Sequence, residues 1–239
     1  MAWNTLAARL APVILLLLCA SAPALAMPPP HTAFYEAVAY GNTLKTRSTV
    51  SYEPGLVRMS LDARVVGFLR LLGRFEMSRE SILSNGPEGL KLLESHHSET
   101  QPRRSREVHT RLDWEANIAQ GTQNGKPFEI EVQDGTLDYL SVLLLLMQEL
   151  RNGNVETRES VALVERHRLR TYTLIREGNE RLQTDLGRLD TVKITRRDEE
   201  RGIALSAWFA PELHYIPVRF DYEADGRVYA LRITGVEWH

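Results

Sequence analysis

Turn chemistry recurs along this chain at intervals of roughly 8–12 residues, a spacing that leaves room for strands and little else. Tyr40-Gly41-Asn42-Thr43, Glu53-Pro54-Gly55, Gln123-Asn124-Gly125-Lys126, Gly178-Asn179, Leu186-Gly187, Ala210-Pro211 and Asp225-Gly226 all carry it. Between turns the chain alternates with period two: Val57, Met59, Leu61 and Ala63 fall on one face. The pattern predicts strands over 32–40, 44–52, 57–63, 74–83, 90–94, 108–114, 118–120, 128–132, 160–165, 167–177, 180–184, 189–197, 202–209, 216–222 and 228–236. Successive strands joined by tight turns make an antiparallel meander. Residues 65–72 are too continuously apolar for a half-exposed strand and predict a buried crossover or short helical turn. Residues 98–106 are polar and charged and predict a loop or hairpin tip.

One segment breaks the rhythm. Residues 138–150 predict a helix, with the Asp138 carboxylate as N-cap and Asn152-Gly153 as the stop. Leu143, Leu144, Leu145, Leu146 and Met147 make it apolar all round, so it should be buried. The expected fold is all-β with one main helix: a single antiparallel, strongly curved sheet, an incomplete barrel or sandwich, around one buried Leu-rich helix. No repeat, low-complexity tract or linker divides residues 33–239, which therefore read as one β-rich domain.

Residues 1–26 read as an export signal. Arg9 precedes an apolar run containing Val13 to Leu18, and Ala24-Leu25-Ala26 supplies the small residues that signal peptidase requires. The run falls short of the about 20 residues needed to span a bilayer. Leu18 before Cys19 does not suit a lipidation motif. Cleavage after Ala26 removes the single cysteine, leaving no thiolate for catalysis, metal binding or a disulfide. Residues 27–32, with Pro28, Pro29 and Pro30, read as a stiff leader. The expected location is the periplasm.

Composition closes other classes. A chain 43% hydrophobic with a net charge of −2 can bury a core and is not disordered. Its 29 Lys and Arg balance 31 Asp and Glu, which leaves no basic excess for nucleic acid. The sequence holds no nucleophile elbow, phosphate loop, dinucleotide fingerprint or His-Glu-x-x-His, so no catalytic set, cofactor or metal site is predicted. His96 and His97, adjacent on a strand, point to opposite faces and cannot chelate one ion together. His109, His167 and His214 stand alone. Arg103-Arg104-Ser105-Arg106 suits a headgroup phosphate or an acidic partner, or simply a solvated loop. Trp114 and Trp208 in strands, with Leu143 and Leu146 on the helix, are the candidate lining of a ligand cavity, against the plainer reading of core packing.

The C-terminal third carries a resemblance. Glu180-Arg181-Leu182-Gln183-Thr184-Asp185-Leu186-Gly187, then Thr191-Val192-Lys193-Ile194, then Trp208-Phe209-Ala210-Pro211-Glu212-Leu213-His214-Tyr215-Ile216-Pro217-Val218-Arg219 follow the motif order of the domain-of-unknown-function 3108 family of exported bacterial proteins. Phe34-Tyr35-Glu36, Leu112-Asp113-Trp114 and Asp138-Tyr139-Leu140-Ser141 are similar to the same family in the same order. Asp185 stands where the family usually has Pro. The resemblance implies a curved sheet or incomplete barrel with a helix near its mouth, and no established activity. The expectation is a periplasmic, non-enzymatic binding protein holding a lipid or other apolar ligand in a curved-sheet cavity. The alternative is a cell-envelope structural or assembly factor working through protein–protein contacts.

Export implies a mature N-terminus at Met27, which N-terminal sequencing of protein recovered from the periplasm reads directly; recovery with residues 1–26 attached would contradict the signal reading.

Overall fold

In the computed structural model, which describes residues 27–39, 42–67, 75–86, 89–154, 158–198 and 201–239, alternation becomes pairing almost without remainder. The strands are β1 (His31–Ala39), β2 (Asn42–Glu53), β3 (Leu56–Val66), β4 (Glu76–Gly86), β5 (Gly89–Gln101), β6 (Arg104–Asp113), β7 (Ile118–Gln123) and β8 (Lys126–Glu131). After helix α1 (Tyr139–Asn152) come β9 (Arg158–Glu165), β10 (Arg168–Thr184), β11 (Gly187–Asp198), β12 (Ile203–Ala210), β13 (Ile216–Ala224) and β14 (Arg227–Trp238). All belong to one sheet in the order β8-β7-β6-β5-β4-β3-β2-β1-β14-β13-β12-β11-β10-β9. Each strand pairs with its chain neighbour, and the first and last strands join the two arms through the pairing of His31 with Trp238 to Glu36 with Arg232.

The sheet is not closed, and the chain spans its opening with α1. Just before the helix, Leu137 pairs in parallel with β9: its N–H donates to Ala162 O at 2.9 Å and its carbonyl accepts from Val164 N at 2.8 Å. Curvature comes from bulges at Phe34/Tyr35, Ile82/Leu83, Arg176/Gly178 and Trp208/Phe209. At Gly121 the backbones approach so closely that a Cβ would lie 1.8 Å from His109 O.

The predicted helix holds to its cap. Asp138 accepts from Ser141 N at 2.9 Å, Ser141 Oγ accepts from Asp138 N at 2.6 Å, and Ser81 Oγ on β4 donates to Asp138 at 2.5 Å. Gly153 ends it in the left-handed conformation at φ 72°. Leu140, Leu144 and Met147 are fully buried against Val57, Leu83, Leu92, Leu163 and Phe209 from the concave face of the sheet. The helix thus supplies the centre of the core. No helix among the described residues is long and apolar enough to cross a membrane.

Four details depart from expectation. Residues 98–106 hold the expected hairpin tip and not a loop, and the tip is confined to residues 102–103: β5 runs to Gln101 and β6 starts at Arg104, with Glu99 and Arg106 paired on the inner face. Gly178-Asn179 is not a turn but a bulge within the single long strand β10, which merges the two strands expected there. Trp114 lies in the turn after β6 rather than in it. Val65 and Val66 end β3, whereas most of the expected crossover at 65–72 falls outside the described residues. The proline leader docks on the fold: Tyr52 Oη donates to Pro28 O at 2.5 Å and Gln148 Nε2 lies 3.0 Å from Met27 Sδ.

Truncating Leu144, which is 0% exposed, should cost about 2–5 kcal/mol by chemical denaturation. A loss within about 0.5 kcal/mol would show that the helix does not fill the sheet.

Candidate functional site

The densest group of charged side chains inside this sheet lies at the N-terminal end of α1. Along β6 the inward positions change character, from Leu112, Thr110 and Val108 to Arg106, while Glu107, His109 and Arg111 face outward. Pairing aligns Arg79 of β4 with His97 of β5, and His97 with Val108 of β6. These residues form one wall of a cavity of about 310 Å³. The opposite wall is the β9–β10 hairpin, with Glu165, Arg166, His167, Arg168 and Arg170, joined by Arg201 from the turn after β11. Asp138 and Tyr139 form the floor.

A tightly bonded cluster supports that floor. Tyr139 and Tyr172 both donate their hydroxyls to Glu165, the latter at 2.5 Å. Burial and the carboxylate together push both phenols above the ordinary tyrosine range, so both remain protonated donors. The Arg196 guanidinium stacks 4.3 Å from the Tyr172 ring centre and 5.3 Å from that of Tyr139, with its Nε and Nη1 buried and without hydrogen-bond partners. Arg79 approaches the Tyr139 ring at 4.8 Å.

The lining has a large excess of positive charge. Six arginines (Arg79, Arg106, Arg166, Arg168, Arg170 and Arg201) stand against Asp138 and Glu165. Arg106 shares Glu99 at 3.4 Å, and Arg170 reaches Glu165 at 3.7 Å. Arg79 forms no ion pair among the described residues, and burial holds it below the ordinary guanidinium range, though far too high to lose its proton at neutral pH. His97, buried beside Arg79, is lowered from 6.5 to about 4 and is neutral at physiological pH. Desolvated cations without full compensation favour an incoming anion, and guanidinium groups suit planar carboxylate or the oxygens of phosphate and sulfate.

The residues expected to line a ligand cavity do not converge. Trp114 donates its indole N–H to Leu92 O at 2.8 Å and packs on the core. Leu146 is buried within it, and Leu143 is half-buried against it. Trp208 donates to Glu180 at 3.0 Å, with Lys193 and Arg219 at its ring. None of the four lines the arginine cavity. Of the basic cluster, Arg106 faces inward, while Arg103 and Arg104 are exposed. Arg79, Glu165 and Arg170 carry no sequence motif; their only signal is a charged residue at an inward position of an alternating strand.

A family model described as a protein of unknown function, DUF3108, matches residues 37–229. No curated protein matches the chain. Among solved structures it is similar to a β-barrel-like protein of another domain of unknown function, DUF1849, from Brucella abortus, with 9% identity, a TM-score of 0.59, and 90% of this chain and 99% of that one covered. It is also matched to a Parabacteroides distasonis protein described as a candidate lipoprotein, at 11% identity and a TM-score of 0.32, over 88% of this chain and 97% of that one.

The unfolded His97 titrates near 6.5 and the folded one near 4, so between these values the unfolded chain binds more protons. Stability from the neutral ring is complete above the upper value and is lost as pH falls toward the lower. Denaturation of wild type and His97→Gln should therefore show the variant gaining relative stability as pH drops through that window. A constant difference would contradict the assignment.

Proposed function

Because the chain belongs to the DUF3108 family of proteins of unknown function, its role must be read from the site, and we propose a non-enzymatic periplasmic binding protein that holds an anionic group in the arginine cavity. The observation that carries this reading is Arg79: a half-buried guanidinium without an ion-pair partner among the described residues, facing a cavity of about 310 Å³. That volume accommodates a phosphate, a small carboxylate or a phosphorylated headgroup. The export signal at residues 1–26 supports the compartment.

The expected acyl chain finds little support in the interior, since Leu144, Met147 and Phe209 fill the space beneath the helix. A lipid headgroup and a free anion nevertheless share the same chemistry at the arginines. The alternative role, envelope assembly through protein contacts, is supported by the tip of the β13–β14 hairpin, where Tyr222, Val228 and Tyr229 are 42%, 56% and 40% exposed.

Binding should raise the melting temperature of wild-type protein in pyrophosphate or glycerol phosphate, with about 2.7 kcal/mol gained at a hundredfold excess over Kd. Arg79→Met should abolish that gain while leaving the unliganded protein as stable as wild type or more so, because it removes a desolvated charge. Native mass spectrometry of protein from the periplasm separates the sources: a mass removed by organic extraction is a lipid, one that survives extraction but not dialysis is a free anion. No anion-dependent stabilisation and no bound mass would refute the proposal.

A further inference from the structure

A second cluster lies on the outer face of the same strands, back to back with the arginine cavity. The β5–β6 register sets His96 directly opposite His109. Glu107 precedes His109 by two residues and so shares its face, as the alternation of β6 requires. The two imidazoles stack with ring centres 4.0 Å apart and planes inclined by 18°. Glu107 Oε1 is 3.5 Å from His96 Nε2 and 3.4 Å from His109 Nε2. All three ligating atoms lie within 4.8 Å of one another. His96 Nε2 is buried and has no hydrogen-bond partner.

We propose that His96, Glu107 and His109 form a binding site for a divalent transition-metal ion of the zinc class. Metal–ligand bonds of about 2.0–2.2 Å place the ligand atoms of a tetrahedral ion about 3.3–3.5 Å apart. Both nitrogen–oxygen separations already match that spacing. Two imidazoles and one carboxylate suit Zn²⁺, Co²⁺ or Ni²⁺ rather than Ca²⁺ or Mg²⁺, which take oxygen ligands. Three protein ligands leave at least one position to solvent. His109 and Glu107 are 50% and 63% exposed, so an ion can enter and the side chains have room to close on it. Bound metal would clamp β5 to β6, the strands that also carry His97 and Arg106 on the inner face. His96 also borders the arginine cavity, whereas Glu107 and His109 take outward positions of β6 away from it, so variants at these two separate the metal site from the anion site.

Tag-free mature protein titrated with Co²⁺ tests this. The expected result is one equivalent bound, a visible absorption band of tetrahedral or five-coordinate intensity, and displacement of the band by Zn²⁺. His109→Ala and His96→Ala should each weaken binding at least tenfold, and Glu107→Gln should weaken it less. A second histidine group at the other end of the sheet, His31, His214 and His239, provides the control, and His239→Ala should leave the band unchanged. Far-ultraviolet circular dichroism of each variant confirms folding, and His109, at the surface, can be replaced without loss of core. No uptake, uptake indifferent to both His96→Ala and His109→Ala, or uptake lost in His239→Ala would overturn the proposal.

Discussion

A sheet of fourteen strands that curves this strongly has a concave face to fill, and the filling of that face by one helix is the constraint on which the rest depends. The strands can supply only alternate side chains to the interior. Helix α1, apolar all round, supplies the remainder: Leu140, Leu144 and Met147 are buried where facing strands alone would leave a void. Its start is fixed twice. Asp138 ties its start to Ser81 of β4, and Leu137 ties the segment before it to β9. The segment that joins edge strands β8 and β9 therefore carries the helix into the space inside.

This arrangement separates two environments. Along the middle of the helix the interior is hydrocarbon; at the first turn it becomes charged, because a helix start needs polar partners. Asp138 and Tyr139 belong to both worlds, capping or beginning the helix while forming the cavity floor. Arg106 is buried and Arg79 and Arg170 are half-buried, while Arg166, Arg168 and Arg201 stand at the exposed rim. Glu165 serves as the shared acceptor of Tyr139 and Tyr172 and is largely committed to them, so it cannot neutralise the six surrounding cations.

Much of the fold was legible from turn chemistry and alternation, and the helix from its cap and its uninterrupted Leu run. What misled was polarity. Residues 98–106 look like a loop only if interiors are assumed to be apolar, and here Glu99 and Arg106 face inward. The site was illegible for a related reason: Arg79, His97, Arg106 and Glu165 are scattered across four strands, the register aligns the first three, and the curvature of the sheet brings edge strand β9 opposite them. His96 and His97 do point to opposite faces, as adjacency on a strand dictates, but the partner of His96 is His109 on the next strand, a pairing that no local spacing encodes. The aromatic and Leu candidates, Trp114, Leu143, Leu146 and Trp208, carry the composition of an apolar pocket, and their placement is packing.

The guanidinium groups at the start of α1 are proposed to receive an anion. Arginine side-chain NMR, following the Nε–Hε resonances of selectively labelled protein during titration with pyrophosphate, tests it most directly. The account predicts saturable shifts at Arg79 and Arg106, with Arg219, held by Asp221 at 2.6 Å elsewhere on the sheet, unmoved. Shifts confined to exposed arginines, or spread without saturation over all of them, would contradict it.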